Sequence, residues 1–102
     1  MAQFPYAESL VKKKRPVLLL TETPYGRHQI VVVAYITSKK GEGIESEIIV
    51  KKSKTSGLRK NSVIKLYKLA HMPVSVIKKE MGSLNRQEDL EVKKKLSQLF
   101  QL

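Results

Sequence analysis

The longest apolar run in the chain is Ile30-Val31-Val32-Val33-Ala34-Tyr35-Ile36, and it ends in Thr37-Ser38-Lys39-Lys40. It is rich in β-branched residues and apolar at every position, which predicts a strand covered on both faces at the centre of a sheet. A shorter run, Pro16–Thr21, precedes it, with proline at the first position, where a missing N–H is tolerated. Between them, Glu22-Thr23-Pro24-Tyr25-Gly26-Arg27 has the proline and glycine of a loop. Paired as an antiparallel hairpin, the two runs bring the start of the first beside the end of the second. Arg15 then lies next to Thr37 and Ser38.

Further along, Lys39–Glu45 contains Gly41 and Gly43 and predicts a loop, and Ser46–Lys51 alternates weakly around Ile48 and Val50, as an edge strand does. Lys52–Asn61 is a second loop. Ser62–Met72 is a longer strand with Ile64, Leu66, Ala70 and Met72 on one parity, interrupted by Lys68 and ended by Pro73. Val74–Met81 predicts a short last strand closed by Gly82. At the other end, Phe4-Pro5-Tyr6 resembles the end of a strand entering a loop.

The final segment is helical. Asn85 and Glu88 have the spacing of a capping box, and acidic residues lead while Lys93–Lys95 follow. Val92, Leu96, Leu99 and Phe100 form an apolar stripe predicted to pack on the sheet. Strands followed by one helix predict a single domain over 1–102, with a small curled barrel over 1–84 and a helix over 85–101.

Charge sharpens this picture. Of the formal +11, residues 1–79 hold 16 Lys/Arg against 5 Asp/Glu, whereas 80–102 hold 4 of each. The basic excess therefore belongs to the strand-rich part and suits a polyanion or an acidic protein segment; its plainer use is a solubilising surface. Cysteine is absent, which excludes disulfides and thiolate metal sites and fits a reducing cytoplasm. No apolar stretch approaches the roughly 20 residues that span a bilayer, and no secretory signal is predicted.

His28 and His71 are far apart, Asp89 is the one aspartate, and no ligand spacing, nucleophile elbow or glycine-rich phosphate loop occurs, so neither a metal nor a cofactor is expected. Cleavage of RNA without a metal stays open, because the substrate brings its own 2′-hydroxyl nucleophile. Arg15 can grip phosphate oxygens as a bidentate fork, Thr37 and Ser38 can donate hydrogen bonds, and Lys13, Lys14, Lys39 and Lys40 make a basic rim. The plainer readings are a solvated cation for Arg15 and a local turn bond for Thr37. Tyr6, Tyr25, Tyr35 and Tyr67 can stack on bases or serve the core. No general base is evident, and His28 falls at the wrong end of the hairpin.

Four stretches resemble the MazF/PemK (Kid-like) toxins of type II toxin–antitoxin modules. Lys13–Leu19 is similar to that family's Arg-Pro strand, and Val32–Ser38 to its strand ending in Ile-Thr-Ser. Ser56–Ile64 resembles the entry to its long strand, and Lys79–Leu84 the Gly-x-Leu segment before its last helix. The resemblance implies an SH3-like barrel with a C-terminal helix, forming a homodimer that cuts single-stranded RNA in the cytoplasm without metal. It also implies an acidic antitoxin as partner and Arg15 and Thr37 as catalytic residues; beside them, Ser38 and the four lysines are expected to bind the RNA. The chain departs from the family in two places: only Met1-Ala2-Gln3 precede Phe4-Pro5, so an N-terminal strand is expected to be shortened, and Tyr67 and Lys68 stand where an acidic residue and a glutamine are common. These departures leave a non-catalytic, RNA- or antitoxin-binding relative as the alternative. A gyrase poison of the CcdB type shares the fold but lacks the Arg-Pro and Ile-Thr-Ser pair.

Overall fold

A computed structural model describes residues 5–9, 15–21, 23–39, 41–54 and 57–102, with the backbone alone over 5–9 and 78–81. Among the described residues, six strands form one antiparallel sheet: β1 (Pro5–Ser9), β2 (Arg15–Leu19), β3 (Ile30–Thr37), β4 (Glu47–Val50), β5 (Ser62–Pro73) and β6 (Ile77–Ser83). Their order is β4-β5-β3-β2-β1-β6. A single 3₁₀ turn, Val74–Val76, links β5 to β6, and helix α1 (Arg86–Phe100) closes the chain. The fold is mainly β with a C-terminal helix, as expected; the ladder stays open between its two edge strands, β4 and β6.

The apolar run of β3 is central because it faces two cores. Ala34 and Ile36 join Leu18, Ile48, Ile64, Leu66 and Leu84 in one cluster, which Val92 of α1 caps and Leu96 flanks. Val31 and Val33 join Val17 and Met72 in the other, against which Tyr35, Ala70, Val76 and Ile77 pack. Alternate residues from Val31 to Ile36, Val32 apart, thus feed opposite faces, so a polar residue at Val31, Val33, Ala34 or Ile36 would place a polar group in a core.

Three local expectations are corrected. Pro5-Tyr6 opens a strand, β1, that lies between β2 and β6. Gly82 sits inside β6, which runs on to Ser83. The helical stripe is only half covered: Val92 is buried and Leu96 packs on the core, but Leu99 and Phe100 are exposed. The expectation of a shortened strand ahead of Phe4 lies outside the described residues.

The start of α1 is set by its cap. Asn85 Oδ1 accepts the Glu88 amide at 2.8 Å, and Glu88 Oε1 accepts the Asn85 amide at 3.0 Å. Lys93 pairs with buried Asp89 at 3.0 Å one turn on. Asn85→Ala leaves orphan helix N–H groups and is expected to cost about 1 kcal/mol in urea unfolding. An unchanged midpoint would show that the packing of α1 alone fixes its start.

Candidate functional site

The register of β2 on β3 builds the site. Val17 pairs with Tyr35, Leu18 with Ala34 and Leu19 with Val33. The ladder ends at Val17 and Tyr35; continued by two residues, its register runs from Arg15, the first residue of β2, to Thr37, the last of β3. On its other side Arg15 pairs with Ser9 of β1, and Thr37 pairs with Val63 of β5. Arg15, Ser38 and Lys39 are exposed and Thr37 is half-buried. The hairpin predicted from two apolar runs therefore brings a guanidinium, two hydroxyls and a lysine to one end of the sheet. Lys13, Lys14 and Lys40 lie outside the described residues.

Thr37 makes the local turn bond its residue type allows: its Oγ1 accepts the Lys39 amide at 3.1 Å. This occupies one lone pair and shapes the turn through Ser38, while the hydroxyl proton stays available to an anion. The histidines stand elsewhere. His28 is exposed in the turn at the far end of the hairpin, and exposed His71 pairs with Val32, five residues before Thr37. Tyr25 is exposed, whereas Tyr35 packs against a core.

Sequence reasoning missed Glu47. This carboxylate is only 8% exposed. Its Oε1 accepts the Gly43 amide at 2.8 Å and its Oε2 the Glu42 amide at 3.1 Å. Tyr67 adds its hydroxyl, 3.1 Å from Oε2. Gly41 lies so close that a Cβ there would stand 2.6 Å from Oε1. The backbone carbonyl of Glu47 accepts Lys95 Nζ from α1 at 2.9 Å. The Glu42 amide is the main cause that holds the Glu47 carboxyl below its ordinary range; partial desolvation opposes it, and the Gly43 amide and the Tyr67 hydroxyl add to it. Burial, then the bond to Glu47, pushes the Tyr67 phenol up, so it stays a donor.

A bulge aims Tyr67 at Glu47. Ala34 pairs with Leu69 but Tyr35 pairs with Lys65, which leaves Leu66, Tyr67 and Lys68 without partners on β3. The Leu66 amide bonds instead to the Ser46 carbonyl at 2.9 Å. Such an insertion bends a strand and redirects a side chain. It also explains why Ile64 and Leu66 serve one core and Ala70 and Met72 the other despite their common parity. In the sequence Glu47 is marked only by its place, four residues after Gly43 at the head of an apolar strand. Between the loop and the sheet lies an open recess of about 390 Å³ that includes Ile44, Ile49 and Val63, the neighbour of Thr37.

The family model for the PemK-like, MazF-like toxin of type II toxin–antitoxin systems matches residues 1–100. The chain belongs to this toxin family. Solved structures agree with this MazF-like fold. The Mycobacterium tuberculosis toxin MazF-mt6 is 25% identical with a TM-score of 0.79, over 96% of this chain and 97% of that one. The crystal structure of an Mtb toxin is 23% identical with a TM-score of 0.73, covering 91% and 97%. An endoribonuclease in complex with its cognate antitoxin, from mycobacterial species, is 14% identical with a TM-score of 0.77, covering 100% and 95%. No curated protein matches the sequence. Among the described residues of this MazF-like chain, no helix is long and apolar enough to cross a membrane.

Proposed function

We propose that this MazF-like toxin is a sequence-specific, metal-independent endoribonuclease that cuts single-stranded RNA, an mRNA interferase. The observation that carries this reading is the β2–β3 register, which, continued past Val17 and Tyr35, runs from Arg15 to Thr37, with exposed Ser38 and Lys39 following. The substrate's 2′-hydroxyl loses its proton to water as its oxygen attacks the adjacent phosphorus, the bond to the 5′-oxygen breaks and that oxygen takes up a proton from water, so that a 2′,3′-cyclic phosphate and a 5′-hydroxyl result. Arg15 stabilises the charge that gathers on the phosphorane oxygens and donates a hydrogen bond to the leaving oxygen. Thr37 and Ser38 hold the same group through their hydroxyls. Lys39, with Lys13, Lys14 and Lys40, follows the RNA backbone.

The partners follow from charge and exposed surface. A net charge of +11 suits RNA and, in its place, an acidic antitoxin segment; a mycobacterial endoribonuclease of the same fold is solved with its cognate antitoxin. Exposed Leu99, Phe100 and Leu102 at the end of α1 support a homodimer. A cytoplasmic location fits a chain without cysteine.

Thr37→Val keeps the shape of the strand end but removes the hydroxyl. Cleavage of single-stranded RNA is expected to fall about 10²-fold, with Thr37→Ser close to wild type. Undiminished cleavage by Thr37→Val contradicts its role. One observation favours a second reading, a toxin-like RNA binder that does not cut: both histidines lie away from Thr37, and the Glu47 carboxylate is already occupied. Tight, salt-sensitive binding with the RNA left intact selects it.

A further inference from the structure

We infer that Glu47 is a positioning residue for the proposed site: its carboxylate fastens the loop that leaves Thr37, and so fixes where Ser38 and Lys39 stand beside the phosphate. This rests on the ribonuclease reading above. The loop from Ser38 to Ser46 contains two glycines, and Gly43 has a φ of 76°, so the chain itself does little to hold it in one shape. Two anchors restrict it. The Lys39 amide is held on Thr37 Oγ1, and the Glu42 and Gly43 amides are held on the two oxygens of Glu47. Only a short stretch separates the anchors, and it carries the exposed cation of Lys39.

The arrangement around Glu47 is built for fastening. Two amides and a phenol fill most of its lone-pair positions, which leaves a poor general base. Gly41 lies against it, so that a Cβ at this position would force the carboxylate or the loop to shift. The Lys95 ammonium ties its backbone to α1, and the β5 bulge delivers Tyr67. Of the titratable side chains, Tyr67 meets the carboxylate itself, Glu42 and Lys65 act on that phenol, and Lys95 reaches the Glu47 carbonyl. A buried negative charge close to a phosphate site opposes anion binding. Its presence is therefore accounted for by what it holds in place rather than by attraction.

The test compares wild type, Glu47→Gln, Gly41→Ala and Tyr67→Phe, each checked for folding by circular dichroism. Two quantities are read: kcat and KM on a single-stranded RNA oligonucleotide in EDTA, and hydrogen exchange at the Glu42 and Gly43 amides. Glu47→Gln is expected to speed exchange at these amides and to lower kcat about tenfold, without raising KM. Gly41→Ala displaces the same loop with no change of charge and is expected to lower kcat in the same way. Tyr67→Phe keeps both amide bonds and stays within about threefold of wild type. Unchanged kcat in folded Glu47→Gln and Gly41→Ala, or a loss expressed in KM alone, overturns the inference while the ribonuclease reading stands. Intact RNA from folded wild type overturns the ribonuclease reading, and with it the catalytic part of this one.

Discussion

Arg15→Ala is expected to lower RNA cleavage by about 10²–10³-fold and to leave the fold in place. Both halves follow from where the residue sits. Arg15 heads β2 and is exposed, and among the described residues it takes part in no ion pair, so its truncation opens no cavity and strands no buried charge. A change of that kind moves stability by about 0.5 kcal/mol or less. On the proposed mechanism the phosphorane, by contrast, loses a planar donor whose two N–H groups match two phosphate oxygens. Arg15→Lys restores the charge without the fork, and partial recovery is expected. Circular dichroism and urea unfolding separate the two halves: a variant that loses activity by unfolding says nothing about the site, whereas a folded, fully active one removes Arg15 from it.

The largest effect on stability is expected from Ile64→Ala. Ile64 is fully buried and has Ile36 of β3 as its Cα partner on one side and Ile48 of β4 on the other. Three isoleucines thus cross three strands in one row of the core under α1. Truncating the middle one removes burial and leaves a hole that rigid neighbouring strands cannot close, at a cost of about 2–5 kcal/mol. Urea unfolding measures it. A cost under about 1 kcal/mol would mean that the row collapses around the gap. The same change is expected to weaken the site, because Ile64 adjoins Val63, the partner of Thr37.

Much of this is legible in the sequence. The apolar run from Ile30 to Ile36 specified a central strand, and the β3 bounds fall at Ile30 and Thr37. Asn85 and Glu88 specified the helix start, because a capping box is a local bond pattern written in two residues. The pairing of β2 with β3, on which the expected meeting of Arg15 and Thr37 rests, followed from two runs that differ enough from their loop to fix a hairpin. What stayed hidden depends on distant partners. The bulge at Leu66, Tyr67 and Lys68 switches β5 from one core to the other, and nothing in its period-two pattern marks the switch. Glu47 looks like any surface carboxylate until folding brings Gly41, Gly43 and Tyr67 around it. Leu99 and Phe100 continue the helical stripe but run past the sheet that covers Val92.

The central claim is that Arg15 and Thr37 form a ribonuclease site, and the ends of the RNA fragments test it most directly. Mixed-sequence single-stranded RNA is incubated in EDTA with the wild-type chain and with folded Arg15→Ala, and the new termini are analysed. The expected result is 2′,3′-cyclic phosphate and 5′-hydroxyl ends from wild type, absent with the variant. Intact RNA from the folded wild type, or the same fragments from both proteins, would contradict it.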